Sequence, residues 1–226
     1  MLRTKLIVSL LALFLFSIAA SAQPGPAPAP KEIFRNSDGD LISNNEFVDI
    51  RMANFTYPDA TIINILENGV KEFRLQKIPQ EGMAAPQFDV RTIDGKQISS
   101  SALKGKVIVL NFWFIGCPAC AGQEPKLNEL KAKFADRTDV VFLAMTYDPE
   151  GAVKKYLAKM RFDYLNVADA DSAMKPFHFI GYPKNIVIDK DGTMIYWRGP
   201  ILAWDKFESV IRAALAHKKD NVTAAN

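Results

Sequence analysis

With 226 residues, 49% of them apolar and 23% charged, the chain can bury a core of ordinary domain size and carry an extension besides. Its 28 basic and 25 acidic side chains nearly cancel, and no basic cluster interleaved with aromatics is present, which argues against a nucleic-acid partner. Cys117 and Cys120 are the only cysteines, too few and too close together for a disulfide-framework fold.

Arg3 and Lys5 precede a largely apolar run over residues 6–20, and Ala20-Ser21-Ala22 offers a small-x-small cleavage pattern. Residues 1–22 therefore read as a secretory signal peptide. The run falls short of the ~20 residues a spanning helix needs, and retention at the membrane by an uncleaved segment is the alternative. No cysteine follows it to carry a lipid. Pro24, Pro26, Pro28 and Pro30 alternate with small residues, so 23–31 is an extended linker without a core of its own.

Residues 32–80 read as a small β-rich extension. Asn68-Gly69 between "TIINIL" and "VKEFRL" is a strong hairpin signal. "NSDGD" at 36–40 invites a calcium-loop reading that its own spacing rejects. With Gly39 at the loop's glycine, the first and last ligand positions fall on Phe34 and Asn45. A plain turn is expected instead.

From residue 83 onward apolar runs and helical patterns alternate. "QFDVRTIDGKQIS" predicts a hairpin at Asp94-Gly95, and "KVIVLNFWF" a buried central strand. A helix follows from Pro118 to about Asp136, with Leu127, Leu130 and Phe134 at helical spacing. "DVVFLAMTY" is a second buried strand and "PEGAVKKYLAKM" a second helix. "NIVIDKDGTMIYW" gives two strands around Asp191-Gly192, and "WDKFESVIRAALAHK" a closing helix. The order implies an α/β sheet covered by helices on both faces over 83–217. Residues 218–226 are a flexible tail, with "HKKD" a solvated helix end that exposes His217.

Cys117 falls where strand gives way to helix, and Pro118 suits the first helical position. A sulfur there meets the positive helix end and free backbone N–H groups, which favour the nucleophilic thiolate. Cys120, one turn on, is placed to attack a mixed disulfide on Cys117. The expected asymmetry is an exposed Cys117 and a sheltered Cys120. A metal reading needs further ligands, and only His178 and His217 are available; a copper site of Cys117, Cys120 and His178 is the alternative that the chemistry permits.

"NFWFIGCPAC", then Pro125, then "FIGYPKNIVIDKDG" resembles the thioredoxin superfamily, and more narrowly the exported ResA/TlpA-like thiol–disulfide oxidoreductases of bacteria. The resemblance covers about residues 83–217. It implies a thioredoxin-like fold with a central mixed sheet, and a redox-active Cys117–Cys120 disulfide without another cofactor. It further implies a cis Pro183 that holds an extended substrate chain, with Tyr182 beside it and Trp113 and Pro118 on the docking surface. Periplasmic location, exported protein thiols or disulfides as partners (apocytochrome thiols in cytochrome c maturation among them) and a membrane-bound thiol reductant as electron donor are implied as well. Asn54 and Asn221 match glycosylation patterns that carry no meaning in a bacterial chain.

Three positions depart from the family. Gly116 stands where the residue before the first cysteine is commonly Trp. Asn111 stands where many thioredoxins carry a buried Asp, as it does in many ResA/TlpA-like proteins, and Gln123 stands where those relatives often carry a Glu instead. Glu124, four residues after Cys120 and so on a shared helix face, is a candidate for assisting Cys120's proton transfer. Its plain alternative is a solvent-facing glutamate before Pro125. Pro125 sits inside the helix as in the family, an architectural position. A peroxiredoxin-like peroxidase is a further alternative, but it wants Thr or Ser where Phe114 stands.

Overall fold

The computed structural model describes residues 31–53 and 61–217. The signal segment, nearly all of the linker, the tail, and both Asn54 and Asn221 lie outside the described residues.

The extension comprises β1 (Glu32–Arg35), β2 (Leu41–Ile42), α1 (Asn44–Arg51), β3 (Ile62–Ile65) and β4 (Lys71–Arg74), its strands in the order β2-β1-β4-β3. The "NSDGD" segment is a turn. The Asn36 side-chain oxygen accepts the N–H groups of Asp38 and Asp40 at 3.0 and 2.9 Å, and Gly39 takes φ +91°. β3 and β4 form the hairpin expected around Asn68-Gly69. Helix α1 is absent from the sequence reading because "NNEFVDIR" is short and mostly polar. Ser43 caps it by accepting the Glu46 N–H at 3.1 Å, and Phe47 packs on Phe34 and Phe73 with ring centroids 4.5 and 6.0 Å away.

The domain continues with the hairpin β5 (Asp89–Arg91) and β6 (Gln97–Ser99), then β7 (Val107–Phe112), α2 (Pro118–Ala132), β8 (Val140–Met145) and α3 (Glu150–Leu157). β9 (Leu165–Val167), α4 (Asp171–Met174), β10 (Lys184–Ile188), β11 (Met194–Arg198) and α5 (Trp204–Ala216) complete it. The central sheet runs β11-β10-β7-β8-β9. β7, β8 and β9 are parallel, and β10 and β11 run antiparallel to their neighbours. This is the mixed sheet expected, with β9 and α4 added; elements that short carry little periodicity.

β7 is buried along its whole length, and its side chains alternate between two cores. Val107, Val109 and the following Trp113 join Leu127 and Leu130 of α2 and Phe207 and Ile211 of α5. Ile108, Leu110 and Phe112 join Val90, Ile98, Met174 and Ile186 on the other face. α2 runs unbroken through Pro125.

Candidate active site

β7 ends at Phe112, and five residues later Cys117 caps α2 in extended backbone. Between them the chain is held by Asp148, whose Oδ2 accepts the Ile115 N–H at 2.7 Å and the Thr146 hydroxyl at 2.6 Å. Gly116 turns at φ +90°, a conformation that side chains rarely adopt. Cys117 and Cys120 form a disulfide, and the Cys117 sulfur accepts the Cys120 N–H at 3.1 Å. The expected contrast in exposure is absent in this oxidised form: Cys117 is 5% exposed and Cys120 3%. Gly116, Pro118 and Ala119 are exposed, while Phe114, Ile115 and Tyr182 pack over the core that holds both sulfurs.

The positions that lack acids are joined to one another. Asn111 and Asn185 face each other across β7 and β10, and Asn111 Nδ2 donates to Asn185 Oδ1 at 2.9 Å. Asn185 Nδ2 donates to Gln123 Oε1 at 3.3 Å and to the Gly199 carbonyl at 2.7 Å. Gln123 Nε2 reaches the Ile201 carbonyl at 3.5 Å. This buried amide ladder ties α2 to the start of β10 without a titrating group.

Glu124 is not the solvent-facing glutamate of the plain alternative. It is 2% exposed, with the Tyr156 hydroxyl donating to Oε1 at 2.8 Å and Oε2 lacking a hydrogen-bond partner. Burial pushes its carboxyl above the ordinary range, against the pull of the Tyr156 bond. Burial and the facing carboxylate together push the Tyr156 phenol upward. The helix pitch puts Glu124 on the Cys120 face, towards the same core.

The Tyr182–Pro183 peptide bond is cis. Pairing of Lys184 with Phe112 makes this turn leave the sheet at the edge where β7 leads into the cysteines. The Tyr182 ring packs edge-on against Phe114 at 5.2 Å and Tyr147 at 5.9 Å, and Tyr147 is 43% exposed. Burial, with Tyr147, Asp171 and Asp148 adding to it, pushes the Tyr182 phenol up to about 12. An aromatic surface therefore lies beside the cysteines although Gly116 replaces the usual Trp.

Two expected site residues are placed elsewhere. Trp113 is 1% exposed, packed on Tyr156 and Phe162 at 5.2 and 5.8 Å, so it supports the loop from beneath and offers a docking chain no surface. The cause is strand alternation, which carries Trp113 into the same core as Val107 and Val109. The copper donor set is not assembled. His178 is exposed at the end of a short helical turn, and among the described residues no three His, Cys, Asp or Glu side chains converge as a metal-holding group. His217 is exposed, as its place in the chain suggested. Asp148, Lys184 and Asn185 are site residues that the structure adds; for the last two the available sequence signal is adjacency to Pro183 in "YPKN".

A strand leading into Cys-Pro-Ala-Cys, a helix capped by the first sulfur and a cis-proline turn beside it define a thiol–disulfide oxidoreductase of thioredoxin-like fold. Residues 80–200 match the Redoxin family model, more than half of the chain. The thiol-disulfide oxidoreductase ResA of Bacillus cereus is 31% identical over 117 residues, 51% of this chain and 68% of the relative. The soluble secreted antigen MPT53 of Mycobacterium tuberculosis is 28% identical over 130 residues, 57% of this chain and 73% of the relative. Among solved structures, a thiol:disulfide interchange protein of the thioredoxin family from Chlorobium tepidum superposes with a TM-score of 0.53 at 25% identity, covering 61% of this chain and 99% of that one. The chain belongs to the Redoxin family and is a ResA/TlpA-like member of the thioredoxin superfamily.

Proposed function

We propose that the protein is exported and reduces disulfides of other exported proteins, with the Cys117–Cys120 pair as its electron carrier. The observation that carries this is the Cys117 sulfur at the start of α2, accepting the Cys120 N–H. In the reduced protein a thiolate at that position gains this bond and the positive helix end. It attacks a substrate disulfide, bonds to one sulfur and releases the other as thiolate. Cys120, deprotonated, then attacks the Cys117 sulfur, re-forms the disulfide of the described structure and releases the second substrate thiolate. Two electrons pass to the substrate, and a membrane-bound thiol reductant, as in the family, returns them. Glu124 takes the Cys120 proton. Tyr182, Pro183 and the exposed Pro118 guide the substrate chain.

Export is supported by the basic, apolar and small-residue pattern of residues 1–22, and by likeness to a relative described as secreted. Among the described residues no helix is long and apolar enough to cross a membrane. The test is to express Cys120→Ala in the native compartment, where mixed disulfides on Cys117 cannot be resolved, and to identify the attached proteins. Exported proteins with paired cysteines, apocytochromes among them, are the expected catch. A folded variant with Cys117 intact that traps no protein counts against the exchange mechanism.

A further inference from the structure

The first residues of β10 are held from both faces of the sheet. Asn185 points to the α2 side and enters the amide ladder; Lys184, its neighbour, points the other way into the extension. Lys184 is fully buried, although it is a lysine at the start of a central strand. Its ammonium donates to the Ala53 carbonyl just past α1, at 2.5 Å, and lies 5.3 Å from the centroid of the Trp197 ring. A cation is rarely buried so completely unless a specific partner holds it there.

Two further contacts bind the same end of the extension to the loop after β11, which passes beside that turn. Gly199 passes between backbones: a Cβ on it would lie 3.1 Å from the Met52 carbonyl oxygen and 3.8 Å from that of Pro183. Asp49, 1% exposed on α1, accepts the N–H groups of Leu202 and Ala203 at 2.8 and 2.9 Å. The 199–202 loop so anchored also supplies the Gly199 and Ile201 carbonyls that end the amide ladder. Helix α1, the cis-proline turn and the cysteine helix thus share one chain of contacts. The remaining charges at this junction are Glu46, paired with Lys206 at 3.2 Å, and Arg198, paired with Glu81 at 2.5 Å.

We propose that the end of helix α1 is a brace for the Tyr182–Pro183 turn, with Lys184 and Asp49 as positioning residues that fix where a polypeptide substrate lies against the cysteines. This rests on the reading that the turn guides the substrate chain. A small disulfide does not need that guidance, so the brace governs exchange with polypeptides and leaves exchange with small molecules to the cysteines alone.

The experiment uses the reduced full chain and compares exchange rates with bis(2-hydroxyethyl) disulfide and with an oxidised two-cysteine peptide. The variants are Lys184→Met, an apolar replacement of similar length, and Asp49→Asn, which keeps one acceptor oxygen. Pro183→Ala tests the underlying reading. For Lys184→Met the peptide rate is expected to fall about tenfold or more, because misplacement by an ångström can cost a hundredfold. The small-disulfide rate is not expected to follow it. Asp49→Asn should show the same split to a smaller extent, and serves where Lys184→Met does not fold. If both rates fall together, or neither changes, in a folded variant while Pro183→Ala lowers only the peptide rate, the brace is refuted and the guiding turn stands. If Pro183→Ala leaves the peptide rate unchanged, the guiding turn itself is refuted and the brace with it.

Discussion

Replacing Glu124 with Gln separates two consequences of one buried carboxyl. The variant keeps an oxygen for the Tyr156 hydroxyl, so the 2.8 Å bond survives. What it removes is a charge at Oε2, which has no partner. Because burial raises the carboxyl's pKa, the unfolded chain gives up this proton at lower pH than the folded protein does. Between those two points the folded state binds more protons, so stability falls as pH rises and the loss is complete above the folded pKa. A buried polar group left unpaired costs about 1–3 kcal/mol, more when charged. Glu124→Gln leaves a buried amide nitrogen without a partner but carries no charge. Its stability relative to wild type should therefore rise by about 1–3 kcal/mol between pH 4 and pH 8 as the wild-type carboxyl ionises, read from urea midpoints at each pH. The kinetic consequence has the opposite sign. If Glu124 accepts the Cys120 proton, resolution of a mixed disulfide by the variant at pH 7 should slow by about a hundredfold, the low end for a positioned base. The two rates should converge above about pH 9, where a thiol of ordinary pKa ionises unaided. Stopped-flow release of a chromophoric thiol from Cys117 gives both profiles. Superimposable rates across the series, alongside the expected gain in stability, would leave Glu124 buried but catalytically idle.

Two further substitutions probe the departures from the family. Gln123→Glu keeps an acceptor for Asn185 but turns an oxygen towards the Ile201 carbonyl, where Nε2 now donates. The new carboxyl should cost about 1–3 kcal/mol at pH 8 and less at pH 4.5, where its proton restores a donor; an equal loss at both values in urea unfolding would contradict the ladder. Gly116→Trp restores the usual aromatic into open space but at φ +90°. It should lower the urea-derived stability by about 1–3 kcal/mol through backbone strain, and an unchanged midpoint would show that the turn relaxes freely.

Where the sequence was legible, one local rule was enough. The two Asp-Gly and Asn-Gly hairpins follow from glycines that can take positive φ, and Gly69 and Gly95 do so at +76° and +89°. β7 was legible as an uninterrupted apolar run, and Cys117 as a helix start because Pro118 follows it. Illegible parts depend on contacts between distant residues. Trp113 looked like a surface aromatic because it is near the cysteines, yet which face it takes is set by the alternation of β7. The polarity of Glu124 suggested solvent, yet α3 brings Tyr156 over it from 32 residues away. Lys184 carries no sign in its neighbours of a carbonyl 131 positions earlier in the chain.

The amide ladder and Glu124 make sense together once their sides of α2 are compared. Gln123 and Glu124 are adjacent, so the helix turns them about 100° apart. Gln123 faces β10 and the loop after β11, while Glu124 faces α3. A carboxyl at 123 would place its charge among Asn111, Asn185 and two carbonyls, the contacts that also locate the cis-proline turn. Each change in its protonation would then alter the geometry of substrate binding. With amides there, the ladder holds one hydrogen-bond pattern at every pH, and the titrating group is moved to the face of the helix that touches only Tyr156 among its hydrogen-bond partners. Proton transfer at Cys120 and the amide ladder are in this way assigned to different faces of the same helix, so the ladder adds no term to the pH profile of polypeptide exchange; the titrating group of the substrate-positioning contacts is Lys184, whose pKa burial lowers to about 8.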